Sequence, residues 1–96
     1  MKVTVDYLGS IKQTLGLKQA ENVELKENAL VSDLLTELAI RHGDVFRENV
    51  YEPEDPDLKV HYILSVNGLL LNQLKGVETK LKDGDHVVLM PVVTGG

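Results

Sequence analysis

Hydrophobic and polar residues alternate near the N-terminus, as in a strand that buries one face. Val3, Val5 and Tyr7 are separated by polar residues, and a period of two is typical of a half-buried β-strand. Residues 21–26 alternate again. We therefore predict that the first two strands pair as a hairpin, and that residues 11–17 between them form a loop or a short helical turn.

The apolar period then changes to that of a helix. Apolar residues fall at i, i+3, i+4, i+7 and i+8, namely Val31, Leu34, Leu35, Leu38 and Ala39, so one helical face is apolar. Ser32 and Asp33 suit the first turn. Counted from Ser32, a capping box is incomplete, because Leu35 stands where its glutamate would be. Gly43 is the expected left-handed terminator.

Residues 44–57 differ in composition from the rest of the chain. They are rich in acidic residues, and Pro53 and Pro56 oppose regular structure late in the segment. Val45, Phe46 and Val50 favour a short helical piece packed against the core. We predict that the remainder of the segment is an exposed acidic loop.

The second half of the chain returns to a period of two. One face of the next strand carries Val60, Tyr62, Leu64 and Val66, and the other face carries His61, Ile63 and Ser65. Asn67-Gly68 predicts a type I′ hairpin turn, which needs positive φ at both residues. Residues 69–71 would form the return strand, 82–85 another turn and 86–93 a final strand, with Pro91 ending the sheet pairing. The order of strands and helix predicts an α+β sheet with one main helix on one face.

Length and charge narrow the functional classes. The chain has 96 residues, which suits one domain over 1–96, and a formal net charge of −5. This charge disfavours nucleic acid and anionic membranes as partners. Cysteine is absent, and neither a signal peptide nor a membrane-spanning run is evident. We expect a cytoplasmic protein that is monomeric when free.

Metal and cofactor chemistry finds little support in the sequence. His42, His61 and His86 are widely separated and lack the spacing of metal ligands. The acidic run between residues 52 and 57 lacks the spaced ligands and central glycine of a calcium loop. We expect no metal site and no bound cofactor.

The ending Thr94-Gly95-Gly96 carries the candidate chemistry, because it follows directly on the final predicted strand. A carboxylate is a poor electrophile and reacts only after activation, for example as an acyl-adenylate. Glycine has no Cβ, so two glycines would give a thin, flexible tail that can enter a narrow nucleotide site. The alternative is an inert, frayed terminus.

Residues 81–96 resemble the C-terminal signature of the MoaD/ThiS family of ubiquitin-like sulfur carriers. The shared features are a leucine, a polar residue, Asp-Gly-Asp, a hydrophobic strand, a proline and a terminal Gly-Gly. Residues 65–68 and 31–35 resemble two further landmarks, so the similarity spans nearly the whole chain. It is closer to MoaD and the small archaeal modifier proteins than to ThiS, because ThiS proteins are generally shorter and lack an insertion like 44–57. The resemblance implies a β-grasp (ubiquitin-like) fold: a mixed sheet of four to five strands, one main helix and a flexible tail at 94–96.

The same resemblance implies a function for the tail. An E1-like activating enzyme of the MoeB, ThiF or UbaA type would use ATP to adenylate the Gly96 carboxylate, and sulfide from a donor would displace AMP to give a thiocarboxylate. The chain would be the substrate and not an enzyme, most specifically the small subunit of molybdopterin synthase, with its tail inserted into the large subunit. Two alternatives stay open: a modifier joined through Gly96 to lysines of target proteins, and a non-covalent β-grasp interaction module with an inert tail.

The final strand also predicts a docking face. If Val87 and Leu89 point to the helix, Val88 and Met90 lie on the open face of the sheet. We assign partner binding to Val88, Met90, Val92 and Thr94, because exposed apolar patches commonly mark partner surfaces. The alternative is that every valine of this strand is core.

Overall fold

Seven strands and three α-helices are present in the computed structural model, which describes residues 1–59 and 61–92, with the backbone alone at 56 and 57. The elements in chain order are β1 (Lys2–Tyr7), α1 (Ser10–Thr14), β2 (Glu21–Glu24), α2 (Val31–His42), α3 (Asp44–Asn49), β3 (Tyr51–Glu52), β4 (Asp55–Leu58), β5 (Tyr62–Val66), β6 (Leu69–Leu70) and β7 (His86–Pro91). Two 3₁₀ turns, Leu71–Gln73 and Gly76–Glu78, lie between β6 and β7. The short helical turn predicted within residues 11–17 corresponds to α1.

Five of the strands form one mixed sheet in the order β2-β1-β7-β5-β6. The β1–β2 hairpin is antiparallel, as predicted, with Val3 opposite Val23. β7 lies between β1 and β5, parallel to the first and antiparallel to the second. The final strand is therefore central, so its two edges are both hydrogen-bonded and its position is fixed by two neighbours.

α2 covers one face of this sheet. All five residues of its predicted apolar stripe are buried, and they pack with the inward residues of β1, β5 and β7. The N-cap residue is Leu30, and Asp33 Oδ2 accepts a hydrogen bond of 2.8 Å from the Leu30 N–H. The helix thus starts before Ser32, and the capping carboxylate is Asp33. Gly43 ends the helix with φ of 72°, as predicted.

The segment after α2 is more ordered than the sequence suggests. Phe46 and Val50 are buried, as expected for a helical piece against the core. The exposed loop predicted for the remainder is wrong in part, because β3 and β4 pair as a small antiparallel hairpin with Tyr51 opposite Leu58. Tyr51 is buried and Leu58 packs against the core. These two apolar residues fix the ends of the hairpin, and the prolines lie in its turn and in its second strand.

Two predicted turns meet at one end of the sheet. Asn67 and Gly68 have φ of 51° and 88°, which confirms the predicted hairpin turn. The Asn67 side chain donates to Asp85 Oδ1 at 2.9 Å and accepts from the His86 N–H at 2.9 Å. Asp85 Oδ2 also accepts from the Lys82 N–H at 2.8 Å. The Val-Asn-Gly and Asp-Gly-Asp motifs are therefore joined to each other by side-chain hydrogen bonds at this end of the sheet.

Candidate functional site at the base of the tail

The last described residues before the Gly-Gly ending are held more firmly than the sequence predicts. The expectation that Pro91 ends sheet pairing is wrong on the β5 side, where Val92 N–H donates to the His61 carbonyl at 2.7 Å. Because backbone groups alternate along a strand, the Pro91 nitrogen faces the other edge, towards β1. There the pairing ends earlier, with the Leu8 N–H donating to the Leu89 carbonyl at 2.9 Å. Proline therefore costs no hydrogen bond in the β5–β7 pair.

A close approach of two chain segments fixes the base of the tail from the β1 side. Gly9 has φ of 76°, and a Cβ at this position would lie 2.9 Å from the Pro91 ring carbon Cγ. Real Cβ atoms essentially never come so close to a carbon, so both the backbone angle and the spacing require glycine here. The turn that follows β1 thus packs directly on the end of β7.

The two faces of β7 are distributed as predicted. Val87 and Leu89 are fully buried beneath α2, whereas Val88 and Met90 are half-buried on the open face of the sheet and Val92 is 38% exposed. This confirms the face assignment, while the role in partner binding stays a prediction. The other predicted site residues, Thr94, Gly95 and Gly96, lie outside the described residues, as does Val60.

The open face extends beyond β7 in a way the sequence did not reveal. Ile63 of β5 lies opposite Met90, and Ser65 lies opposite Val88. Ile63, like Val88 and Met90, is half-buried. We call Ile63, Val88 and Met90 the open-face patch. Alternation along β5 placed Ile63 on the correct face, but only the strand register brings it beside Met90.

A polar cluster on the other side of the sheet was missed by the sequence analysis. The Tyr7 hydroxyl donates to Glu21 Oε2 at 2.6 Å, and His42 Nε2 lies 2.8 Å from the same oxygen. An ionised carboxylate only accepts, so Nε2 is the donor. Arg41 Nη1 lies 3.3 Å from Glu21 Oε1. The Glu21 and His42 side chains are each only 11% exposed.

The electrostatics of this cluster favour a charged glutamate and a neutral tyrosine. Burial raises the pKa of the Tyr7 hydroxyl far above its ordinary value, and the hydrogen bond to Glu21 raises it further. Burial also raises the pKa of Glu21, but the hydrogen bonds from Tyr7, His42 and Arg41 outweigh it, so the pKa of Glu21 is lowered. The cluster ties the β1–β2 hairpin to the C-terminal end of α2. No spacing along the sequence predicted this cluster, because its members come from three separate elements.

The three histidines lie in different parts of the described fold. Within residues 1–59 and 61–92, no group of three or more His, Asp or Glu side chains is placed to hold a metal ion. His42 belongs to the Glu21 cluster. His86 is exposed beside Asp6, with Nε2 4.0 Å from the carboxylate. Among the described helices, none is long and apolar enough to cross a membrane.

Comparison with known proteins decides the family. The model of the ThiS family matches residues 5–96, which includes the central strand and the Gly-Gly ending. The chain belongs to the ThiS family. Its members are small ubiquitin-like carrier and modifier proteins that work with E1-like activating enzymes and with partner or target proteins. They are not catalysts themselves, in agreement with the prediction that this chain is a carrier or modifier protein and not an enzyme.

Individual relatives support the fold and the family. Small archaeal modifier protein 3 of Haloferax volcanii is 27% identical over 96 residues, covering all of both chains. A putative molybdopterin converting factor, subunit 1, from Pyrococcus furiosus is 35% identical, with a TM-score of 0.72 and coverage of 97% of this chain and 99% of that one. A chain in the Amycolatopsis orientalis BexX/CysO complex is 28% identical, with a TM-score of 0.72 and coverage of 98% and 99%. The β-grasp, ubiquitin-like fold predicted from the sequence is thereby confirmed.

Proposed function

We propose that this ThiS-family protein carries sulfur on the C-terminal carboxylate of Gly96. An E1-like enzyme joins the carboxylate oxygen to the α-phosphate of ATP and releases pyrophosphate. Sulfide supplied by a donor then attacks the acyl carbon, the bond to AMP breaks, and Gly96 holds a thiocarboxylate. ATP belongs to the activating enzyme, and the carrier itself binds no cofactor.

The observation that carries this proposal is the attachment of the Gly-Gly ending to a central strand. β7 is paired on both edges, Val92 is tied to His61, and Pro91 packs on Gly9. A firmly held strand before the tail lowers the entropy lost when the tail enters a partner's pocket. Two terminal glycines supply the thin, turning chain that such a pocket requires.

For the acceptor, we propose molybdopterin synthase, with this chain as the small subunit. The support is the 35% identity to the Pyrococcus furiosus protein, whose name describes a molybdopterin converting factor. In this role the tail enters the large subunit, where the thiocarboxylate sulfur bonds to the pterin precursor and displaces a leaving group from it. Water then cleaves the acyl–sulfur bond, so that the sulfur stays on the pterin and Gly96 is again a carboxylate.

A second candidate is protein modification, favoured by the Haloferax volcanii small archaeal modifier protein 3. A lysine amine would attack the activated Gly96 carbonyl, so that an isopeptide bond replaces the bond to AMP. Both functions share the adenylation step. They differ only in the nucleophile that follows.

Intact-mass spectrometry tests the shared step and separates the two outcomes. The protein is incubated with the E1-like enzyme of its own organism, ATP and a sulfide source. A carrier gains the mass of one oxygen-to-sulfur exchange, and a variant lacking Gly95-Gly96 stays unchanged. Peptides of cellular proteins that carry a remnant of this chain ending in Gly96 on a lysine would instead support modification, and a tryptic digest would leave residues 83–96 as that remnant because Lys82 is the last lysine or arginine. An unchanged mass together with the absence of such remnants would leave only a non-covalent interaction module.

We also propose that Val88, Met90, Val92 and Thr94 contact the activating enzyme or the acceptor. Met90→Glu places a charge in the open-face patch while leaving the buried face of β7 intact. We expect thiocarboxylate formation to slow by about tenfold or more, with an unchanged thermal unfolding profile. Ile40→Glu is the matched control, because Ile40 is an exposed apolar residue of α2, the helix that covers the other face of the sheet. Equal rates of thiocarboxylate formation in the two variants would show that the open-face patch is not part of the interface.

A further inference from the structure

A groove at the β5–β6 edge is separate from the tail chemistry. It has a volume of about 400 Å³, and its apolar lining includes Leu58, Tyr62, Ile63, Leu70, Leu71 and Leu74. We call it the leucine groove. Clefts that bind ligands or side-chain clusters commonly have volumes of roughly 300–1,000 Å³ and such apolar walls, so the leucine groove is large enough to hold several side chains.

The edge beside this groove exposes apolar side chains. β6 consists of only two residues, Leu69 and Leu70, which are 48% and 37% exposed. Such a short edge strand offers little backbone for strand addition, so this edge presents mainly its side chains to a partner. Two exposed leucines on an edge strand, next to an apolar groove, indicate a surface that a partner covers.

The charged residues near the groove indicate which kind of partner it binds. A second groove shares Leu58 and Tyr62 with the first and is bordered by Glu48 and Asp55, together with Lys59 and His61. Residues 44–59 hold six acidic and two basic residues, a net charge of −4 against −5 for the whole chain. Most of the excess negative charge therefore belongs to this segment, and two of its acidic residues, Glu48 and Asp55, border the second groove.

This charge argues against a second copy of the chain as the occupant. Two copies meeting at this surface would bring two segments of charge −4 together, and like charges across an interface are costly. An apolar segment that also carries lysine or arginine would instead place its apolar side chains in the groove and its cation near Glu48 and Asp55.

We propose that the leucine groove and the adjoining acidic groove bind a segment of a partner protein that combines two or more apolar side chains with a lysine or arginine. The apolar side chains supply the buried contact, and the acidic border selects the basic residue and excludes acidic segments. The site does not involve the tail residues, so it goes beyond the proposed carrier function.

A selection from random decapeptides displayed on phage tests the site. The full-length wild-type protein is the bait, and Leu70→Glu is used for counter-selection, since Leu70 is exposed enough to be replaced without loss of the core. We expect the enriched peptides to combine apolar residues with net positive charge. Synthetic copies should shift the backbone amide NMR signals of Tyr62, Ile63 and Leu71, and Leu70→Glu should weaken their binding about tenfold or more.

Matched variants separate the contribution of the acidic residues to peptide binding from that of the apolar groove. The pair Glu48→Gln and Asp55→Asn should weaken the basic peptides but not their neutral analogues, with a loss that shrinks as salt is added. Ile40→Glu and the protein lacking Gly95-Gly96 should bind the peptides as the wild type does. Failure of the carrier chemistry would leave these results intact, and failure of peptide binding would leave the mass test intact.

Three results would overturn the inference. One is the absence of any enriched peptide that shifts the signals of the groove residues. Another is the enrichment of acidic or uncharged peptides in place of basic ones. The third is equal binding to the wild type and to a Leu70→Glu protein that is shown to be folded by its NMR spectrum.

Discussion

The cluster around Glu21 gives the most direct test of the link between structure and stability. Replacing Tyr7 by phenylalanine keeps the buried ring and removes only the hydroxyl that donates to Glu21 at 2.6 Å. A hydrogen bond to a charged acceptor contributes about 1.5–3 kcal/mol to the free energy of unfolding, and one to a neutral acceptor contributes about 0.5–1.5 kcal/mol. We therefore expect Tyr7→Phe to lose about 1.5–3 kcal/mol at pH 7.

The pH dependence of this loss follows from the lowered pKa of Glu21. The folded-state pKa of Glu21 lies below its ordinary value of 4.5, so its contribution to stability is fully present above that value. The contribution disappears as the pH falls through the folded-state pKa, because the carboxyl is then protonated in both states. Removing the Tyr7 donor raises the folded-state pKa towards the unfolded value, so the variant should lose less stability on acidification than the wild type does.

Urea unfolding at several pH values between neutral and acid measures both effects. The difference between wild type and Tyr7→Phe should shrink on acidification towards the value for a neutral hydrogen bond. Tyr62→Phe is the matched control, because the Tyr62 hydroxyl makes no hydrogen bond within the described part of the chain. The reasoning is refuted if Tyr7→Phe costs no more than this control at pH 7, or if its cost is the same at every pH.

Three further substitutions test the scaffold of the tail. Gly9→Ala should lower the free energy of unfolding by about 1–3 kcal/mol, because the new methyl meets Pro91 and the backbone angle becomes strained; a smaller loss in urea unfolding would show that the segment moves freely. Leu89→Ala removes a fully buried side chain beneath α2 and should cost about 2–5 kcal/mol, and a cost below 1 kcal/mol would mean that the core repacks around the site. Asp85→Ala leaves two donors of the joined turns without their acceptor and should lower the free energy of unfolding by about 1–3 kcal/mol. Hydrogen exchange of the backbone amides at the N-terminal end of β7 should then become faster. Unchanged exchange rates would show that the two turns are not coupled.

Much of the frame follows from local patterns in the sequence. A period of 3.6 predicted α2, and alternation predicted β1, β5 and β7, because each period reflects which face of the element is buried. Asn67-Gly68 predicted its turn. The family assignment rested on the same residues together with the Gly-Gly ending. Each of these features can be recognised from residues that are close together in the sequence.

Local patterns failed where the outcome depended on distant partners. The sequence could not show that Tyr51 and Leu58 would anchor a hairpin inside an acidic segment, or that pairing would continue past Pro91 to Val92. In both places a contact with another element outweighed a local preference. The strength of such a contact is set by burial and register, which single-sequence patterns do not contain.

The two surfaces of the protein show the same division. Alternation along β7 was sufficient to place Val88 and Met90 on the open face, since side chains in a strand point to opposite sides in turn. The Glu21 cluster and the leucine groove arise only when separate elements meet in space, and no spacing along the chain encodes them. The sequence by itself therefore determined the main helix, most strands of the large sheet and the Gly-Gly ending. The tertiary structure decided which strands became neighbours and added the β3–β4 hairpin, because hydrogen bonding between strands and burial of side chains are satisfied only by the whole fold.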